Sequence, residues 1–456
     1  MAPDFTLVPI IDHGLGNSTY LLDLGDDQAM VLDPERDVRQ VRAEAERRGL
    51  RIAYAVETHL AADFVSGVRE LADSDGAVVV APEVGPRGFE VTGMSDGQRL
   101  DMGRFTLQAL ATPGHAPDHL SYLLYEGDRL VGVFTGGSLM VGTAGRTDLV
   151  SPEQTVPLAR AQYHSLQRLM ELPDDTPVWP THGAGSFCSS AIGGDRVSTI
   201  GHERATNPLL QVESEDAFVT ALLDSLGSFP DYFLRLGEVN REGPAVLGDT
   251  VDLTALTSSE VEDLLAKGAQ VVDARPAAEF AAGHIPGALS IPLRPVFATW
   301  LGWLTDPSRP LVIVRDESQN ASDLAWEAAK VGVDAVAGEL GGGMEAWTGR
   351  VESGAVELLD ADQLAVGPPV TVLDIRQAGE FAAGHVPGAC NIELGALVDN
   401  VNELPEGPVV VMCGHGERAM GAASILEAAG RSGVRVLAGH PADYVRIRGE
   451  QLQSDS

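Results

Sequence analysis

The chain has 456 residues, 44% hydrophobic and 21% charged, with a formal net charge of −35. That length predicts about three domains, each with its own core, and the composition is that of an ordinary globular protein. The acidic excess argues against nucleic acid, which is gripped through clustered Lys and Arg, and no apolar run reaches the ~18 residues that span a bilayer.

Residues 1–245 form a first predicted region of short alternating strands, Thr19–Leu24, Ala29–Asp33 and Ile52–Glu57, mixed with charged helical stretches such as Val38–Arg48. The opening residues Met1–Phe5 carry neither the basic patch nor the apolar segment of a secretion signal, so a cytoplasmic location is expected. Histidines fall just after apolar strands at His59, His115 and His182. Open α/β architectures collect ligands at such strand ends.

Two further regions follow, 250–350 and 355–456, joined through predicted linkers at Arg241–Gly248 and Arg350–Gly354. They are copies of one another: Asp273, Arg275, Glu279, Phe280, Gly283 and His284 recur as Asp374, Arg376, Glu380, Phe381, Gly384 and His385. Each copy reads as strand, helix, strand, helix, which implies a parallel α/β domain.

The copies differ after their next apolar strand. In the second, Val409–Met412 runs into Cys413, Gly414, His415, Gly416, Glu417 and Arg418, then a helix-like stretch over Ala419–Ala429. Gly414 and Gly416 let the backbone curl into a nest of inward N–H groups at a helix N-terminus. Such a nest favours a thiolate or its persulfide, and Arg418 is placed to neutralise an anion. In the first copy, alignment of the strands puts Asp316 at the cysteine position, Gln319 at the second glycine and Ala321 at the arginine. A carboxylate there holds no sulfur. Cys413, Cys390 and Cys188 are the only cysteines, too few and scattered for a disulfide framework or a cysteine-only zinc site. Cys390 reads as a small core residue and Cys188 as a loop cysteine.

The loop C-x-x-G-x-R and the signature before it resemble the rhodanese family across both copies. The resemblance implies that Cys413 takes a sulfane sulfur as a persulfide and passes it to a nucleophilic acceptor. Gly414, His415, Gly416, Glu417 and Ala419 would line the substrate loop, with Arg418 stabilising the anion. The loop is one residue shorter than that of the related phosphatases, which disfavours phosphate. By the same resemblance the first copy is a rhodanese fold without catalysis. Its Asp273, Arg275, Glu279 and His284, like Asp374, Arg376, Glu380 and His385, are expected to be structural.

Thr58–Gly67, Thr112–Tyr122, Phe134–Leu139, Gly145–Leu149 and Pro180–Ser186 resemble, in order and spacing, the persulfide dioxygenase branch of the metallo-β-lactamase superfamily. The whole chain resembles the bacterial persulfide dioxygenase–sulfurtransferase fusions. The implied fold is an αββα metallo-β-lactamase sandwich followed by two rhodanese-type parallel α/β domains. Iron in that branch is held by two histidines and an aspartate, which map to His59, His115 and Gly137, so an anionic ligand is missing. For two-zinc hydrolases only His59, Asp63, His115 and His182 remain, with Ala61 and Phe64 where histidines are usual.

The expected function is sulfur transfer from thiosulfate or a low-molecular-weight persulfide to a thiol acceptor, with no cofactor required for that step. The N-terminal domain is expected to be a metal-poor pseudo-enzyme whose His59 and His115 are hydrogen-bonded relics. One alternative is that His59 and His115 still hold iron, with His119 as a substitute ligand, giving a bifunctional dioxygenase–sulfurtransferase. Another, of a different class, is a non-catalytic sulfur carrier or sensor. A homo-oligomer is expected by analogy, with no membrane partner.

Overall fold

The computed structural model describes residues 5–188, 194–347, 354–366 and 370–454. It divides into two compact units: Met1–Val251 with Trp326–Gly332, and Asp252–Ala325 with Val333–Ser456. Among the described residues no helix is long and apolar enough to cross a membrane.

The first unit is built on two six-stranded sheets. One runs in the order Leu7–Asp12, Asn17–Gly25, Gln28–Leu32, Arg51–Val56, Val78–Pro82 and Thr92–Met94. The other runs Ser198–Thr199, Pro177–Pro180, Arg129–Gly136, Leu120–Glu126, Phe105–Ala111 and Arg99–Met102. Side chains alternate along each strand, so both faces of both sheets are buried by different sets. Tyr20, Leu22, Leu24, Met30 and Leu32 meet Phe105, Leu107, Ala109, Tyr122 and Leu124 in the core between the sheets. Leu21, Ala29, Val31, Ile52 and Ala55 point the other way, onto Val41 and Ala45 of helix Arg39–Arg47 and Val68 and Leu71 of helix Val68–Asp75. On the far side Leu123, Val133 and Val178 pack against Ala159, Leu166 and Leu169 of helix Pro152–Leu169 and Phe218 and Leu222 of helix Glu215–Asp224. The result is a four-layer αββα sandwich. Full burial of each Leu or Phe contributes roughly 1.5–3 kcal/mol.

In the second unit the copies form two five-stranded sheets. The first orders Ala255–Leu256, Val336–Leu340, Leu311–Val314, Gln270–Asp273 and Leu289–Ser290, all parallel. The second orders Glu357–Leu359, Val434–Leu437, Val409–Met412, Thr371–Asp374 and Cys390–Asn391, again parallel. Asp273 and Asp374 are fully buried and take the same bonds: to the Arg275 backbone N–H and guanidinium in one, to those of Arg376 in the other. Each guanidinium also donates to a glycine carbonyl, Gly283 or Gly384, at 2.8 Å. His284 and His385 each stack on the preceding Phe, Phe280 and Phe381, with ring centroids 3.8 Å apart. The recurrent signature is therefore a frame for the turn. Cys390 is only half-buried, on the short edge strand beside Leu373, and is not the core residue its sequence suggested.

Of the expected linkers, Arg241 and Glu242 still belong to helix Phe233–Glu242, and an irregular segment begins at Gly243. In the other, residues 350–353 lie outside the described residues.

Candidate functional site

In the first unit, ligand-type side chains gather where strands of both sheets end. His59 follows Arg51–Val56, His115 follows Phe105–Ala111, and His182 follows Pro177–Pro180. All three are buried, and their available ligand atoms lie within 4.8 Å of one another. The orientation of each ring follows from its Nδ1 partner. The Thr58 hydroxyl donates to Asp33 at 2.7 Å, so it accepts from His59 Nδ1 at 2.8 Å. His115 Nδ1 donates to the Arg146 carbonyl, also at 2.8 Å. His182 Nδ1 donates to Asn17 Oδ1 at 2.8 Å, while the Asn17 amide donates to Asp63. Each Nδ1 thus carries the proton and each Nε2 turns a bare lone pair inward, as second partners do for metal-binding histidines. His59 Nε2 and His182 Nε2 stand 3.5 Å apart.

Burial, reinforced by the neighbouring imidazoles, holds His59 well below the usual histidine pKa and His115 down to about 4. Buried Asp63 Oδ1 has no hydrogen-bond partner. A metal–nitrogen bond of about 2.1 Å sets ligand atoms around one ion roughly 3–4 Å apart, the scale of this cluster. The donor set of bare imidazole nitrogens beside an unsatisfied carboxylate oxygen therefore fits a divalent metal such as iron.

Two sequence readings change here. His119 is no substitute ligand: its Nε2 accepts from the Gly137 N–H at 3.0 Å and its Nδ1 pairs with the Thr112 hydroxyl at 2.8 Å. His182, left out of the expected iron set, joins His59 and His115. His59 and His115 are hydrogen-bonded through Nδ1, as the relic reading expects, and His59 Nε2 faces His182 Nε2 across the cluster. Gly137 itself lies against His115, and a Cβ there would come within 2.1 Å of the ring, so the family's aspartate has no room beside His115 in this position. Cys188 lies in the loop after His182, as expected, but is fully buried, grouped with Asp63 and His182, and burial pushes its pKa well up.

The second unit holds the other centre. Cys413 follows the fully buried strand Val409–Met412 and is itself buried. Gly416, at φ +100°, is the residue before helix Glu417–Ala428, and its N–H donates to Cys413 Sγ at 3.0 Å. This left-handed turn suits glycine. Gly414 does not share it, so the curl rests on Gly416. The Arg418 guanidinium is held by both carboxylate oxygens of Glu380, at 2.7 and 2.8 Å. Although burial acts to raise it, that contact keeps the Glu380 carboxyl below its ordinary value. Arg418 is thus a clamp between the loop and the signature helix, which leaves it less free to meet a substrate anion than the sequence suggested. His415 is exposed, Glu417 half-buried and Ala419 buried.

The strand registers correct the alignment of the first copy. Asp273 pairs with Val314 as Asp374 pairs with Met412, so Arg315, and not Asp316, stands where Cys413 does. Its guanidinium binds Glu339 and the Gln319 carbonyl. The Gln319 side chain in turn bridges Ala274 O and Asp316 N, closing the loop on itself.

A rhodanese-like domain model matches residues 257–350 and 357–445. The mitochondrial persulfide dioxygenase ETHE1 of Homo sapiens is 30% identical over 204 residues, covering 43% of this chain and 73% of that protein. The chain belongs to the persulfide dioxygenase–rhodanese fusion family. Its enzyme class is accordingly that of the rhodanese-type sulfurtransferases. The hydroxyacylglutathione hydrolase of Gloeobacter violaceus is 31% identical over 213 residues, covering 41% of this chain and 80% of that one. A solved metallo-beta-lactamase from Staphylococcus aureus superposes with a TM-score of 0.66 at 26% identity, over 74% of this chain and 99% of that chain.

Proposed function

We propose that this protein moves sulfane sulfur through a persulfide on Cys413, taking it from thiosulfate or a small persulfide and giving it to a thiol. The carrying observation is the Gly416 N–H donated to a buried Sγ at a strand-to-helix turn. An N–H aimed at sulfur stabilises negative charge there. Gly414, His415, Glu417 and Ala419 complete the substrate loop, and Arg418 acts through its clamp on Glu380. The Cys413 thiolate attacks the outer sulfur of the donor, the donor's sulfur bond breaks, and the electron pair leaves on the donor fragment. Acceptor attack on the persulfide reverses the sequence. Cys413→Ser is expected to abolish transfer while leaving the fold intact; a variant with undiminished turnover would overturn this reading.

A second activity is favoured by the three converging Nε2 atoms. We infer that His59, His115 and His182 hold iron, with Asp63 beside them, in a site that has exchanged the family's aspartate for a third histidine. Bound iron would supply the oxygen chemistry for which persulfide dioxygenases are named. The chain's own residues fix the imidazole tautomers through Thr58, Arg146 O and Asn17, and the hydroxyls of Thr58 and Thr181 anchor Asp33 beneath them. Iron content per chain is expected near one and is expected to fall to background in His182→Ala. Iron retained in that variant would exclude His182 as a ligand. In this reading the chain works as three domains, 1–245, 250–350 and 355–456, with two chemical centres.

A further inference from the structure

A cleft of about 370 Å³ opens beside the Cys413 loop, within the second unit, and is walled by both rhodanese copies. The first copy supplies Ala274, Pro276, Leu293 and Arg294, and the loop supplies His415 and Glu417. Arg294 also lines the adjoining recess with Glu417 and Arg418. Two other polar groups at this junction are engaged: Gln319 bonds Ala274 O and Asp316 N, and Arg418 is clamped by Glu380. Among the described residues, no hydrogen bond or ion pair holds the guanidinium of half-buried Arg294. Burial pulls its pKa below the ordinary arginine value, and Glu417, Arg418 and Cys413 all lie near enough to act on its charge. A partly desolvated cation without an ion partner is costly unless an anion arrives.

The cleft's size and lining narrow the choice of anion. Volumes of about 300–1,000 Å³ suit small organic ligands. Thiosulfate, with five heavy atoms, would leave most of the apolar wall facing water, and the Glu417 carboxylate repels a compact dianion.

We propose that Arg294, on the copy that has no nucleophile, binds the carboxylate of a small organic persulfide seated in this cleft, so that the two copies share one substrate site. The inference rests on the Cys413 reading and specifies its donor. The Cys413 thiolate attacks the outer sulfur of the persulfide; one sulfur–sulfur bond forms on Cys413 as the donor's breaks. The donor leaves as a thiolate that still carries its carboxylate, with no net oxidation.

The test is the rate of Cys413 persulfide formation in the full-length protein, followed by rapid alkylation and mass spectrometry. Two donors are compared: glutathione persulfide, whose organic part carries carboxylates, and 2-mercaptoethanol persulfide, whose organic part is uncharged. Arg294→Gln is expected to slow loading from glutathione persulfide roughly tenfold and to change loading from the uncharged donor less than about twofold. Arg294→Lys is expected to recover part of the loss, since it restores the charge without the fork. Equal slowing with both donors, or no slowing with either, would overturn the role of Arg294 while leaving Cys413 as the nucleophile. Faster loading of the wild-type protein by thiosulfate would overturn the donor class. Absence of any persulfide on wild-type Cys413 would instead remove the underlying sulfurtransferase reading.

Discussion

The two rhodanese copies share a frame and differ in a loop. Both bury an aspartate under an arginine two residues on, stack a histidine on a phenylalanine and order their central strands alike. In one, the central strand ends at a thiol that receives an N–H from Gly416 at a helix start. In the other, it ends at Arg315, whose side chain is spent on Glu339 and Gln319, and the next helix begins only at Ala321. The frame is what the fold requires, and the loop is where chemistry was kept or lost.

The copy without a thiol still contributes. Helix Glu417–Ala428, which follows the Cys413 loop, is buried over most of its length, as expected for a helix apolar on all sides. One side of it meets the first copy: Ser424 Oγ accepts from Ser290 N at 3.1 Å, and Glu427 lies 3.2 Å from His284 Nε2. Removing the first copy would expose this helix, which explains its retention without a nucleophile.

The largest effect expected from probing this comparison is on stability. Asp273→Asn and Asp374→Asn each leave a buried guanidinium without its carboxylate, at a cost of about 3–5 kcal/mol. Calorimetry should show an earlier unfolding transition for both variants. A gap above ~1 kcal/mol between them would mean that the frames are not equivalent.

Next comes the Arg418 clamp. Glu380→Gln should lower sulfur-transfer kcat/KM roughly tenfold by releasing the loop arginine. Glu279→Gln should leave it unchanged, because helix Ala321–Lys330 starts with no arginine to hold. Because the Glu380–Arg418 pair is partly exposed, the stability change should stay within about 1 kcal/mol. An unaltered rate in Glu380→Gln would remove the positioning role of that carboxylate.

The smallest expected effect is a null one. Arg315→Cys in a Cys413→Ser background restores the residue without the short loop or the Gly416 N–H, and sulfur transfer should remain below about 1% of the parent. Measurable turnover would show that the thiol alone separates the copies.

Much of this was legible in the sequence because it is local. Strand alternation around Tyr20 and Leu22 or Phe105 and Leu107 follows from a two-residue period, and the six spaced identities of the copies define the turn frame without any distant contact. The thiol at the end of Val409–Met412 is equally local. The tertiary structure decided what depends on residues far apart in the chain. His182 joins His59 and His115 only when strands of two sheets end at one place, and Asn17 fixes its tautomer from a fourth strand. The placement of Arg315 came from backbone pairing, which residue similarity in a divergent loop does not reveal. Arg418 was visible as a cation, yet its commitment to Glu380 required the loop to fold back on the signature helix. Arg294 carries no motif and meets the Cys413 loop only because the two copies pack together. Short-range pattern reports which element a residue belongs to; charge pairing and ligand geometry depend on which elements meet.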